Sequence, residues 1–169
     1  MKPRKAPTLR TPRNPQLALR LEADLPDPAA RWRDGAALPY LGAHVILCID
    51  TDREMATLDG QVLHLPLPPA ATPRQIQDGV EAWLRQEAAR LIGASLARAA
   101  QQAARAAPSW SFSFSARGGW AQIHPDGSLR FNWRLIEQPR ETIEQVVAAA
   151  FAALPGANAT ADLWGMPEA

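Results

Sequence analysis

Cysteine, tyrosine and histidine are scarce in this chain: one Cys, one Tyr and three His among 169 residues. A single thiol, Cys48, excludes an intrachain disulfide and any zinc cage built from thiolates. Because it lies in the apolar run Val45-Ile46-Leu47-Cys48-Ile49, we expect an inert packing side chain rather than a nucleophile. No apolar stretch approaches the roughly 20 residues that a membrane-spanning helix needs. The basic beginning of the chain is broken by prolines instead of leading into an apolar signal segment. The expectation is a cytoplasmic protein with no membrane partner.

Acid is missing from residues 1–20, which carry Lys2, Arg4, Lys5, Arg10, Arg13 and Arg20. With 18 basic and 17 acidic residues in all, the remainder of the chain holds five more acids than bases. A basic arm of this kind can touch nucleic acid, acidic lipid or an acidic protein, although such blocks at termini are more often simply solvated. Residues 1–29 also hold Pro3, Pro7, Pro12, Pro15, Pro26 and Pro28 and few aromatics, too little apolar surface to offset ordering entropy. They are expected to form a disordered basic tail, with residues 30–169 forming one domain.

From Ala30 onward short apolar segments alternate with turn formers: Trp32, Gly35, Leu38-Pro39-Tyr40-Leu41-Gly42, the run 44–50, and Asp59-Gly60 before Val62-Leu63-His64-Leu65. This predicts an antiparallel β-meander. Thr72-Pro73-Arg74-Gln75 then supplies an N-cap, a proline at the first helical position and a capping-box partner. Ile76, Val80, Trp83, Ala88, Leu91 and Ile92 approximate one face of a long helix running toward Pro108. Alternation returns in Trp110-Ser111-Phe112-Ser113-Phe114, predicting a strand with three aromatics on one face, and Pro125-Asp126-Gly127 predicts a second hairpin. Pro139 opens a last helix, which Pro155-Gly156 closes. The class is α+β.

Several words in this order resemble the YgjP-like metallopeptidases, bacterial zinc proteins related to the wider HExxH clan. They are Leu38-Pro39-Tyr40-Leu41-Gly42; Trp120 followed by Asp126-Gly127-Ser128-Leu129-Arg130; Phe131-Asn132-Trp133-Arg134-Leu135-Ile136; Val146-Val147-Ala148; and Asn158 with Leu163-Trp164. The resemblance implies a zincin-like architecture and a zinc site on the last helix. In the family, Val-Val-Ala precedes His-Glu-x-x-His, and Asn precedes a third His. Two imidazoles at i and i+4 share a helical face and clasp the metal, while the Glu activates metal-bound water.

On this chain the ligand positions fall on Ala149, Ala153 and Ala159, and the general-base position falls on Ala150. Alanine can neither bind zinc nor accept a proton. The resemblance therefore leads to an expected pseudoenzyme: no zinc, no peptidase activity, and a retained binding or regulatory role toward an unidentified protein or peptide. Trp120, Arg130, Asn132, Trp133 and Arg134 are candidates for its surface, and a solvated structural face is the competing reading for the arginines.

Other departures favour natural divergence, while four alanines at four functional positions keep deliberate ligand removal open as the alternative. The family's Arg-Trp-Gly-Ser-Cys reads Gly119-Trp120-Ala121-Gln122-Ile123, and the sequence stops at Ala169 where family members continue with another helix. The emptied helix looks apolar nearly all round from Val146 to Leu154, so we expect it buried, with Phe151 or Trp120 moving in over the lost imidazoles. Two alternatives stay open. One is a metal-dependent peptidase whose ligands moved to His44, His64 or His124 with acids such as Asp126. The other is a nucleic-acid or protein-binding module using the basic arm and the aromatic strand Trp110, Phe112 and Phe114.

Overall fold

A computed structural model describes residues 31–115 and 117–156. Expectations for the tail 1–29, and for Asn158, Ala159, Leu163 and Trp164, lie outside the described residues. The chain between forms an α+β domain of two small sheets and two main helices.

The first sheet holds β1 (Ala37–Tyr40), β2 (Ala43–Ile49), β3 (Thr57–Asp59) and β4 (Val62–Leu65). Tight turns at Leu41-Gly42 and Gly60-Gln61 make β1–β2 and β3–β4 antiparallel, the second one residue later than Asp59-Gly60. The expected antiparallel meander is nevertheless corrected: the strand order is β1-β2-β4-β3, and β2 runs parallel to β4. Burial explains the exchange. Leu63 and Leu65 of β4 are buried and pair in register with Leu47 and Ile49 of β2, whereas β3 is three residues long with Asp59 exposed. The more apolar strand takes the interior place and the shorter, more polar one the edge.

Helix α1 (Pro73–Gln102) starts as its sequence directs. The Gln75 N–H donates to Thr72 Oγ1 at 3.3 Å, and the Thr72 N–H donates back to Gln75 Oε1 at 2.9 Å. Its buried stripe runs from Ile76 through Val80, Trp83, Leu84, Ala88, Leu91, Ile92 and Leu96 to Ala100, the spacing of one helical face.

The second sheet joins β5 (Trp110–Ser113), β6 (Ala121–Ile123) and β7 (Leu129–Asn132) in the order β5-β7-β6. The expected hairpin forms between β6 and β7, and β5 lies parallel to β7 on the other side. Trp110 and Phe112 face the core, where Trp110 meets Phe131 edge-on with centroids 6.1 Å apart. The predicted three-aromatic face is corrected at Phe114. The strand ends at Ser113, and Phe114 is 71% exposed.

A 3-10 turn (Trp133–Glu137) leads into helix α2 (Arg140–Ala152). Asn132 caps the turn by accepting the Arg134 N–H at 3.0 Å, which drops Trp133, Leu135 and Ile136 into the core. Here the two most distinctive words of the sequence meet. The N–H groups of Leu41 and Gly42 donate to the carbonyls of Ile136 and Glu137 at 2.9 and 3.0 Å. Both residues are left-handed, φ 48° and 76°. A Cβ on Gly42 would stand 2.8 Å from Pro139 Cγ, so conformation and space both demand glycine there.

Candidate functional site

Helix α2 presents two unlike faces. Ile143, Val147, Ala150, Phe151 and Leu154 are buried against the core, whereas Ala148, Ala149, Ala152 and Ala153 are exposed. The expectation of a helix buried all round is therefore corrected. Alanine is apolar but so small that leaving four methyl groups in water costs little, and the large side chains alone set the buried direction. Phe151 does not close over Ala149 and Ala153. It sits in the core stripe with the Arg105 guanidinium 5.0 Å from its ring centroid, and Arg105 also donates to the Pro155 carbonyl at 2.9 Å. Trp120 does not close over them either and remains 38% exposed. No large cavity needs filling at Ala149 and Ala153, because both lie on the surface.

The position aligned with the general base is placed differently. Ala150 is only 7% exposed and belongs to the core-facing stripe. Zinc, which the resemblance implies, does not fit the residues present. Ala149 and Ala153 offer methyl groups at i and i+4, and no lone pair. His44 is exposed on β2, His64 lies on β4 of the same sheet, and His124 follows β6 of the other. His64 Nδ1 lies 3.2 Å from the Asp50 carboxylate, which is held below the usual carboxylate range first by the Asp52 backbone N–H and further by its neighbours His64 and Arg53. Asp126 is occupied with its own turn, accepting the N–H and hydroxyl of Ser128 at 2.9 and 2.6 Å. Among the described residues no three His, Cys, Asp or Glu side chains converge to hold a metal ion.

The surface candidates from sequence separate. Arg130, Arg134 and Trp120 are exposed. Asn132 is half-buried and committed to its cap, with its side-chain amide donating to the Ser115 carbonyl at 3.5 Å. Trp133 is 7% exposed and leaves the surface set. It forms part of a stack that sequence reading missed: Arg85 lies 5.7 Å from the Phe114 ring and 5.4 Å from Trp133, and Arg134 lies 5.1 Å from Trp133. Glu81 and Glu137 hold the two guanidiniums at 2.6 and 3.1 Å. Glu81–Arg85 and Arg134–Glu137 have the i,i+4 and i,i+3 spacings of helical pairs, a signal that could have found the two arginines, whereas the aromatic partners, distant in sequence, gave none.

Near α2 lies β6. Among the described residues it pairs only with β7, which leaves its outer edge free. Ile123 at its end is 43% exposed. The β6 edge offers unpaired backbone polar groups, and α2 carries no nucleophile, general base or metal donor at Ala149, Ala150 or Ala153.

The family assignment follows from comparison: residues 16–148 match the YgjP-like, metallopeptidase domain family. This chain belongs to that family. The match takes in residues 16–29 as well as the folded body, and it ends at Ala148, one position before Ala149, onto which the resemblance places the first ligand. Comparison with curated proteins and with solved structures gives no match. Within the YgjP-like domain, the words around Tyr40 and Asn132 have structural work in this chain: one clasps the other, and Asn132 caps the turn that seats Trp133. Among the described residues no helix is long and apolar enough to cross a membrane.

Proposed function

We propose that this YgjP-like domain is a non-hydrolytic member of its family that binds extended polypeptide along the β6 edge beside α2, in a binding or regulatory role. The observation that carries the reading is the state of α2. Ala149 and Ala153 stand exposed where the family places zinc ligands, and Ala150 is buried where it places the base. A free strand edge can accept main-chain hydrogen bonds from an added strand, and small alanine side chains leave room for that chain to approach. Without a metal or a base, a bound peptide would be held and not cut.

Metal analysis of the purified protein after incubation with zinc tests the first half, with well below one zinc per chain expected. Near-stoichiometric zinc would overturn it and favour ligands outside α2. Anisotropy of a labelled extended peptide tests the second half. Ile123→Asp and Ala149→Asp should each weaken binding several-fold, and unchanged binding in both would remove β6 and α2 as the site.

A further inference from the structure

The direction of the β6 backbone groups follows from their pairing with β7. The Asn132 N–H donates to the Trp120 carbonyl and the His124 N–H to the Ser128 carbonyl, both at 2.9 Å. Trp120, Gln122 and His124 therefore turn their backbone toward β7, and alternation leaves the N–H and C=O of Ala121 and Ile123 directed to the free edge. Pro125 has no N–H, and Gly119 is left-handed at φ 69°, so the usable edge stops on either side. It accepts a short stretch of strand, opposite Ala121, Gln122 and Ile123.

Side chains of this sheet divide between two faces. Ala121 packs with the core alongside its neighbours Phe131 and Phe112, so Gln122 and its cross-strand partner Arg130 lie on the outer face. The Gln122 amide donates to the Gly118 carbonyl at 3.0 Å, which holds the backbone next to Arg117 against that face, and a Cβ at Gly118 would collide with the amide. Arg117 and Arg130 are both exposed. Among the described residues neither has a carboxylate partner, unlike Arg85 and Arg134, which Glu81 and Glu137 hold. Residues 110–136 contain Arg117, Arg130 and Arg134 against a single acid, Asp126, which Ser128 occupies at the far end of the hairpin.

We infer that the β6 edge selects an acidic strand, with an Asp or Glu opposite Gln122 between two apolar residues. The inference rests on the β6 edge being the peptide site and adds what that peptide carries. A residue opposite Gln122 projects to the outer face, where its carboxylate meets the two unpaired guanidiniums that flank Gln122. Its neighbours, opposite Ala121 and Ile123, project to the other face, where Ile123 is 43% exposed and offers apolar surface.

Anisotropy on the full chain at about 50 mM salt tests this with two labelled heptapeptides, Ser-Thr-Val-Glu-Val-Thr-Ser and Ser-Thr-Val-Lys-Val-Thr-Ser. The first should bind at least about tenfold more tightly, and the difference should shrink as salt rises to about 0.5 M. Arg117→Glu together with Arg130→Glu should reverse the preference, which an unfolded protein could not do, and the milder Arg130→Gln should cut it several-fold. Equal binding of the two peptides would overturn the inference while leaving the edge as a peptide site. An acid preference that survives the paired substitution would overturn it too, because the charge would then come from elsewhere, such as the basic residues 1–20. Binding of neither peptide would overturn both the inference and the peptide site.

Discussion

At the scale of single residues, Ala150 and Tyr40 carry the sharpest consequences. Ala150 faces the core, so restoring the family's glutamate there buries a carboxyl group. Ala150→Glu should cost about 2–3 kcal/mol in urea unfolding at neutral pH, whereas Ala149→Glu and Ala153→Glu, both exposed, should stay within about 0.5 kcal/mol. The Ala150→Glu penalty should shrink as pH falls toward 5, because burial disfavours only the charged form. Tyr40 donates its hydroxyl to Glu87 at 3.0 Å, and Arg90 donates to the same carboxylate at 2.7 Å. Burial, then the Glu87 charge and the hydrogen bond to it, push the Tyr40 phenol from 10.0 up to about 12. A raised folded value means a contribution fully present below pH 10 and lost as pH rises from 10 toward 12. Tyr40→Phe should therefore flatten the alkaline fall in stability in that window, at a cost of about 1 kcal/mol near neutrality for the lost hydrogen bond. Glu87, held low first by Arg90 and then by Tyr40, works in the other direction, and its contribution fades as pH drops through the acid range.

Elements show where sequence was sufficient and where it was not. The start of α1 was legible in four residues because a capping box is local chemistry. Thr72→Ala should cost about 1 kcal/mol in thermal or urea unfolding. Both hairpins were legible for the same reason, since Asp59-Gly60 and Asp126-Gly127 mark their turns, the first to within one residue. The order of strands was not. Nothing local says that Val62–Leu65 will slip between β2 and β3, a choice made by burial of Leu63 and Leu65 against the rest of the core. Nor did composition separate the two faces of α2, because alanine contributes equally to a buried and an exposed surface. The ligand register that the resemblance implies was readable only through its neighbours Val146-Val147-Ala148 on one side and Asn158 on the other. The arginine–aromatic stack of Phe114, Arg85, Trp133 and Arg134 was invisible because its members come from three separated segments.

At the scale of the molecule, contacts between distant parts of the described chain close the fold. The first sheet, α1, the second sheet and α2 share one core, and Arg98 of α1 reaches Glu144 of α2 at 3.2 Å. The clasp from Leu41 and Gly42 to Ile136 and Glu137 joins residues about 95 positions apart, and Gly42 cannot be replaced without conformational strain and a clash with Pro139. Gly42→Ala should remove about 2–3 kcal/mol of stability. That number has a kinetic side. Contacts spanning so much chain carry a large loop-closure cost, so they form late, after α1 and the local hairpins have organised. The strain should then appear almost wholly in the rate of leaving the native state. Stopped-flow chevrons of Gly42→Ala should show an unaltered refolding arm and unfolding accelerated by roughly thirty- to a hundred-and-fifty-fold. The glycine that lets two distant words meet would thus determine the lifetime of the folded domain, and with it how long the domain withstands proteolysis.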